Sequence, residues 1–190
     1  YWKMMSSEHY FIITDDNRLS LFSESSLDNS IMISLNSNII DTIVNSHFNT
    51  FIVNEQKTDF QNDIMNALRI YSKHTLKKEL YDKLLYILVA LESILLKDPN
   101  EPIQQNLADR IAFTCGKDLV ERKEIVLFIK KIYSVRSSFI HHGVIDNDDW
   151  SMLDRFLNLA WRMLNTIVLN SDKFISKNDF INAIENTKYS

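Results

Sequence analysis

From Thr58 onward, apolar residues recur every three or four positions, the spacing that gathers side chains on one face of an α-helix. In TDFQNDIMNALRIYSKH, Phe60, Ile64, Ala67, Leu68 and Tyr71 share one side, and the opening Thr58–Asp59 supplies capping oxygens for the first turn. KKELYDKLLYILVALESILLK repeats the pattern, with Leu84, Leu88, Leu91 and Leu95 as its stripe. DPNEP interrupts it, and Pro102 suits the first turn of the next helix, PIQQNLADRIAFTCG, which Gly116 ends. Asp118 caps a long helix predicted to reach about Ile140, DNDDW opens another that runs to about Asn170, and SKNDFINAIENT makes a last short one. Residues 58–190 therefore predict an all-α domain, a bundle of about five or six helices.

Residues 1–57 carry a weaker pattern and form a separate N-terminal segment. HYFIITDD and NTFIVNE fit short strands, SESSLDNS is a polar loop, and SNIIDTIVNSHF places Ile39, Ile40, Ile43 and Val44 at helical spacing. The chain opens with YWKMM rather than an initiator Met. The expectation is a fragment or processed chain whose first residues end an upstream domain.

Composition sharpens this picture. Two Gly and two Pro in 190 residues leave little turn chemistry, which favours long helices over many strands. A net charge of -4 argues against a general phosphate-coating protein, although Lys117, Arg122, Lys123, Lys130, Lys131 and Arg136 gather locally, offset by Asp118, Glu121 and Glu124. One cysteine, Cys115, makes no internal disulfide, so a reducing cytoplasm is the expected compartment. The longest apolar run, LLYILVALESILL, is too short to span a bilayer and contains Glu92, so no membrane partner is expected. Glycines at 116 and 143 alone exclude a glycine-rich phosphate loop, and with it an NTPase or Rossmann enzyme.

The chemistry concentrates in IYSVRSSFIHHG, residues 132–143. Ile125, Phe128, Ile129, Ile132, Val135, Phe139 and Ile140 form one apolar sector of this helix, and Arg136 falls near its middle. An unpaired guanidinium there would cost several kcal/mol, so Arg136 needs a partner or a cleft. Glu92, at the edge of the Leu84–Leu95 stripe, is the candidate partner. His141 lies five positions further, about 140° around an ideal helix. For both to meet one substrate, either the helix ends first, as Gly143 would allow, or a second chain completes the site. A helix end at His141 would favour the imidazolium, and a histidine near its ordinary pKa moves protons at neutral pH. The plainer alternatives are a core ion pair for Arg136 and a helix cap for His141 and His142. No Cys, Asp or Glu cluster stands at ligand spacing beside the two histidines, so neither a metal nor another cofactor is expected.

YSVRSSFIHHG resembles the Arg-x4-6-His motif of the HEPN superfamily, and the order ALRIYSKH, LLYILVALESILL, LADRIAF, IKKIYSVRSSFIHHG resembles its Apea-like branch across about residues 58–170. Where that branch ends in His-Gly, this chain has His141–His142–Gly143, which leaves either histidine as the functional one. The resemblance implies a HEPN-type bundle with metal-independent endoribonuclease activity, as in toxins and anti-phage abortive-infection proteins. It further implies a homodimer whose two motifs line one cleft. Arg136 and His141 would be catalytic, with Ser137, His142, Glu92 and Tyr133 in support, and the substrate would be single-stranded or tRNA-like RNA. The alternative is a catalytically silent HEPN bundle used for dimerisation or RNA binding, regulating a domain upstream. A helical protein-interaction module with no RNA role is a third reading.

Overall fold

The computed structural model describes the backbone of residues 3–5, 9–13, 19–23, 32–33, 46–98, 100–142 and 149–188, and the side chains of 46–98, 100–140 and 151–188. In the N-terminal segment β1 (Lys3–Met5), β2 (His9–Ile13), β3 (Leu19–Ser23) and β4 (Met32–Ile33) pair antiparallel in chain order. HYFII is therefore the strand that its pattern predicts. The helical run SNIIDTIV and the loop beyond Ser23 lie outside the described residues.

NTFIVNE is not a strand. The Ser46 hydroxyl accepts a hydrogen bond from the Asn49 N–H at 3.1 Å and caps helix α1 (His47–Val53). Phe48 and Phe51 stand three apart on one helical face, Phe51 is buried in the core, and the Phe48 ring lies 5.3 Å from that of Trp161. A neighbouring helix to receive two aromatics overrides a weak local strand preference.

Six helices follow Thr58 among the described residues: α2 (Asp59–Ser72), α3 (Leu80–Leu95), α4 (Ile103–Cys115), α5 (Leu119–His142), α6 (Asp149–Leu169) and α7 (Lys177–Lys188). The architecture from Ser46 onward is all-α. Local chemistry sets the helix starts. Thr58 and Gln61 form a reciprocal capping box on α2, the Asp118 carboxylate accepts from the Glu121 N–H at 2.9 Å on α5, and Ser176 and Asp179 cap each other on α7.

The core centres on α3. Leu80, Tyr81, Leu84, Ile87, Leu88, Ala90, Leu91, Ile94 and Leu95 are all buried, leaving this helix apolar nearly all round, as a helix enclosed by neighbours must be. Helices α2, α4, α5, α6 and α7 all pack against it. Between α4 and α5 the chain turns at Gly116 with ordinary extended angles (φ -82°), so no left-handed conformation demands a glycine there. Space does: an added Cβ would stand 2.7 Å from the Ala112 carbonyl oxygen and 2.7 Å from Arg122 Cγ. Cys115 is a buried thiol 3.9 Å from Met163 Sδ, and burial pushes it up to about 11, which removes it as a nucleophile.

Arg110 holds the far end of the bundle. The residue is 3% exposed, and its guanidinium donates a two-pronged pair of 2.8 Å bonds to Glu101 and reaches the Leu95 carbonyl oxygen and Glu185 on α7, each at 2.5 Å. Lys97 bonds the other Glu185 oxygen at 2.7 Å. The Arg110 hydrogen bonds are the main cause of a Glu101 carboxyl lowered to about 2. A depressed carboxyl contributes stability above its unfolded value and loses it as pH falls. Acid should therefore weaken the fold between about pH 4.5 and about pH 2, and Glu101→Gln should flatten that limb in urea titrations across this range.

Candidate functional site

Helices α3 and α5 run antiparallel. Tyr81, at the start of α3, stacks on Phe139 near the end of α5, whereas Glu92, late in α3, meets Tyr133 further back. The apolar sector of α5 is buried at Ile125, Phe128, Ile129 and Ile132, then emerges, leaving Phe139 and Ile140 at the surface. Arg136 sits where the sector leaves the core.

Its partner is Glu92. Arg136 Nη1 lies 3.6 Å from Glu92 Oε1, an ionic contact longer than a hydrogen bond. The same oxygen accepts a 2.6 Å hydrogen bond from the Tyr133 hydroxyl, one helical turn before Arg136. Glu92 is 19% exposed and Arg136 33% exposed, so the pair is sheltered on the core side and open on the other. Arg136 Nε is buried with no hydrogen-bond partner, which leaves the guanidinium with unused donor capacity. Burial, then the bond to Glu92 and its charge, push the Tyr133 phenol well above its ordinary value. Tyr133 is therefore a fixed donor that orients Glu92, not a base. Tyr133→Phe keeps the ring and removes the bond, and should cost about 1.5–3 kcal/mol, the range for hydrogen bonds to charged groups, read from the urea midpoint.

Of the six candidate residues, Glu92, Tyr133 and Arg136 come together. Ser137 is exposed on the same helix. His141 and His142 complete α5, which runs two residues beyond the predicted end at Ile140. Their side chains, and Gly143, lie outside the described residues. The helical path has a consequence for the site. Position 141 stands about 140° round from position 136, and position 142 about 120° the other way, so neither histidine position shares the Arg136 face within one chain.

Beside Arg136 opens a small cleft of about 70 Å³ lined by Tyr81, Asp82, Leu84, Leu85, Arg136, Phe139 and Ile140. Sequence reasoning had placed Phe139 and Ile140 in the apolar sector and did not mark them as site residues. The available signal was that this sector continues to the helix end, past the stretch that α3 can cover. Among the described residues, no helix is long and apolar enough to cross a membrane, and no three His, Cys, Asp or Glu side chains stand together as metal ligands. Compared with protein-family models, curated proteins and solved structures, the chain matches none.

Proposed function

We propose that this protein is a metal-independent endoribonuclease of the HEPN type, acting in bacterial anti-phage defence or a toxin system, in the cytoplasm. The observation that carries the reading is Arg136: a partly open guanidinium, braced by Glu92 and Tyr133, beside a cleft and five and six residues ahead of two histidines on the same helix.

Each residue type suits the chemistry. A base takes the proton from a ribose 2'-hydroxyl, whose oxygen attacks the adjacent phosphorus. The bond from phosphorus to the 5'-oxygen breaks, and that oxygen takes up a proton. The products are a 2',3'-cyclic phosphate and a 5'-hydroxyl. His141, or His142 in its place, moves the proton. Arg136 binds the scissile phosphate and stabilises the charge that develops on it, with Ser137 as a further donor to the same group. The 140° separation on a continuous helix favours a homodimer in which Arg136 of one copy works with the histidine of another. Single-stranded or loop RNA, including tRNA, is the substrate class, because only a pliable backbone bends into such a cleft.

The deciding experiment incubates the purified chain with labelled single-stranded RNA and tRNA in EDTA. Fragments ending in 2',3'-cyclic phosphate are the expected result. Intact RNA at every concentration, with RNA still bound, would favour a silent RNA-binding bundle instead.

A further inference from the structure

We propose that the cleft beside Arg136 seats one unpaired base of the RNA, stacked on Phe139, next to the phosphate that Arg136 holds. This rests on the ribonuclease reading and adds to it the group that positions the strand.

The two rings at the cleft make the argument. Phe139 and Tyr81 stack with centroids 3.7 Å apart and planes only 5° from parallel. Tyr81 is 6% exposed and Phe139 37% exposed, so the pair is closed on the Tyr81 side and open on the Phe139 side. An aromatic ring backed by another ring and still more than a third exposed offers the kind of platform on which a base stacks. Arg136, Phe139 and Ile140 stand at i, i+3 and i+4, which puts cation and ring on one helical face at the same opening.

Charge selects what enters. A groove that follows a phosphate backbone carries repeated cations. This cleft has apolar walls from Tyr81, Leu84, Leu85 and Ile140, one cation in Arg136 and one carboxylate in Asp82. Asp82 repels a second phosphate, whereas an uncharged flat ring loses nothing beside it and gains apolar contact. The cleft therefore suits one phosphate at Arg136 and one base beyond it. A base already paired in a duplex has no free face to offer, so the seat also selects for single strands.

The test uses the full chain and a short single-stranded RNA carrying 2-aminopurine, with a 2'-O-methyl group at each position so that no 2'-hydroxyl is left to attack and it binds without being cut. Stacking on Phe139 should quench the 2-aminopurine fluorescence on binding. Phe139→Ala should abolish the quench and weaken binding about tenfold, within the range for one base–aromatic stack, while Phe139→Trp should keep both. Binding and quenching unchanged in Phe139→Ala would overturn the proposal. So would a shift of Phe139→Ala from dimer to monomer in sedimentation, which would assign the ring to a contact between copies. Cleavage assays on all-ribose RNA separate the two claims. Quenching without cleavage defeats the nuclease reading and leaves the base seat standing, cleavage indifferent to Phe139 defeats the seat alone, and no RNA binding at all defeats both.

Discussion

Arg136→Ala and His141→Ala should each reduce RNA cleavage by a factor of about 10² or more. General acid–base catalysis contributes about 10²–10⁴-fold, and loss of one donor to a developing oxyanion costs about 10²–10³-fold. The reading requires both variants to stay folded, which circular dichroism and melting would check. Arg136 is a third exposed and leaves Glu92 still bonded to Tyr133, so its loss should weaken the fold far less than it weakens cleavage. If His142 is the proton carrier, His142→Ala takes the place of His141→Ala in the result.

Mixing the two inactive proteins tests the shared site. In a dimer built from Arg136 of one copy and the histidine of the other, a mixed pair has one fully intact site. Random re-pairing should then restore about a quarter of the wild-type rate. A site contained within one chain restores nothing. This result would distinguish the two arrangements that the helix geometry sets against each other.

The second large effect is on stability. Arg110→Ala should cost about 3–5 kcal/mol, because it removes the cation from a buried network, takes the counter-ion from the sheltered Glu101 and leaves Glu185 with Lys97 alone. A domain's whole stability is about 5–15 kcal/mol, so this single change should move the urea midpoint sharply or leave the chain unfolded at ambient temperature. Arg110→Lys should recover only part of the loss, since an ammonium keeps the charge but cannot make the two-pronged bond to Glu101 and also reach the Leu95 carbonyl and Glu185. A midpoint unchanged in Arg110→Ala would contradict the network's role in holding α7 to the bundle.

Arg110 and Arg136 are both cations on helices that pack against α3, and their surroundings differ. Arg110 is fully sheltered and saturated by carboxylates and a carbonyl, which makes it a structural tie. Arg136 has one long ionic contact, a buried Nε without a partner and an open side, which makes it available to a ligand. The helical wheel marks Arg136 because it registers only that a charge lies on the wrong face. What surrounds each charge depends on residues 9 to 75 positions away for Arg110 and 44 away for Arg136.

The sequence by itself determined the helices, because the period of apolar residues and the capping side chains act within a few positions of one another. It also determined the anomaly at Arg136 and the choice of Glu92 as its counter-ion, since two stripes that must face each other bring their edges together. Tertiary structure alone decided the rest. It made NTFIVNE a helix by offering Trp161 of α6 to Phe48 and the core to Phe51, made Gly116 necessary through a close approach of α5, and turned Tyr133 into the brace of Glu92. It also left Phe139 covered only by Tyr81 on one side and 37% exposed where α3 begins, so that a residue patterned for the core became the wall of a cleft. Periodicity says which face of a helix avoids water, but only the lengths and crossings of neighbouring helices decide how far along that face shelter extends.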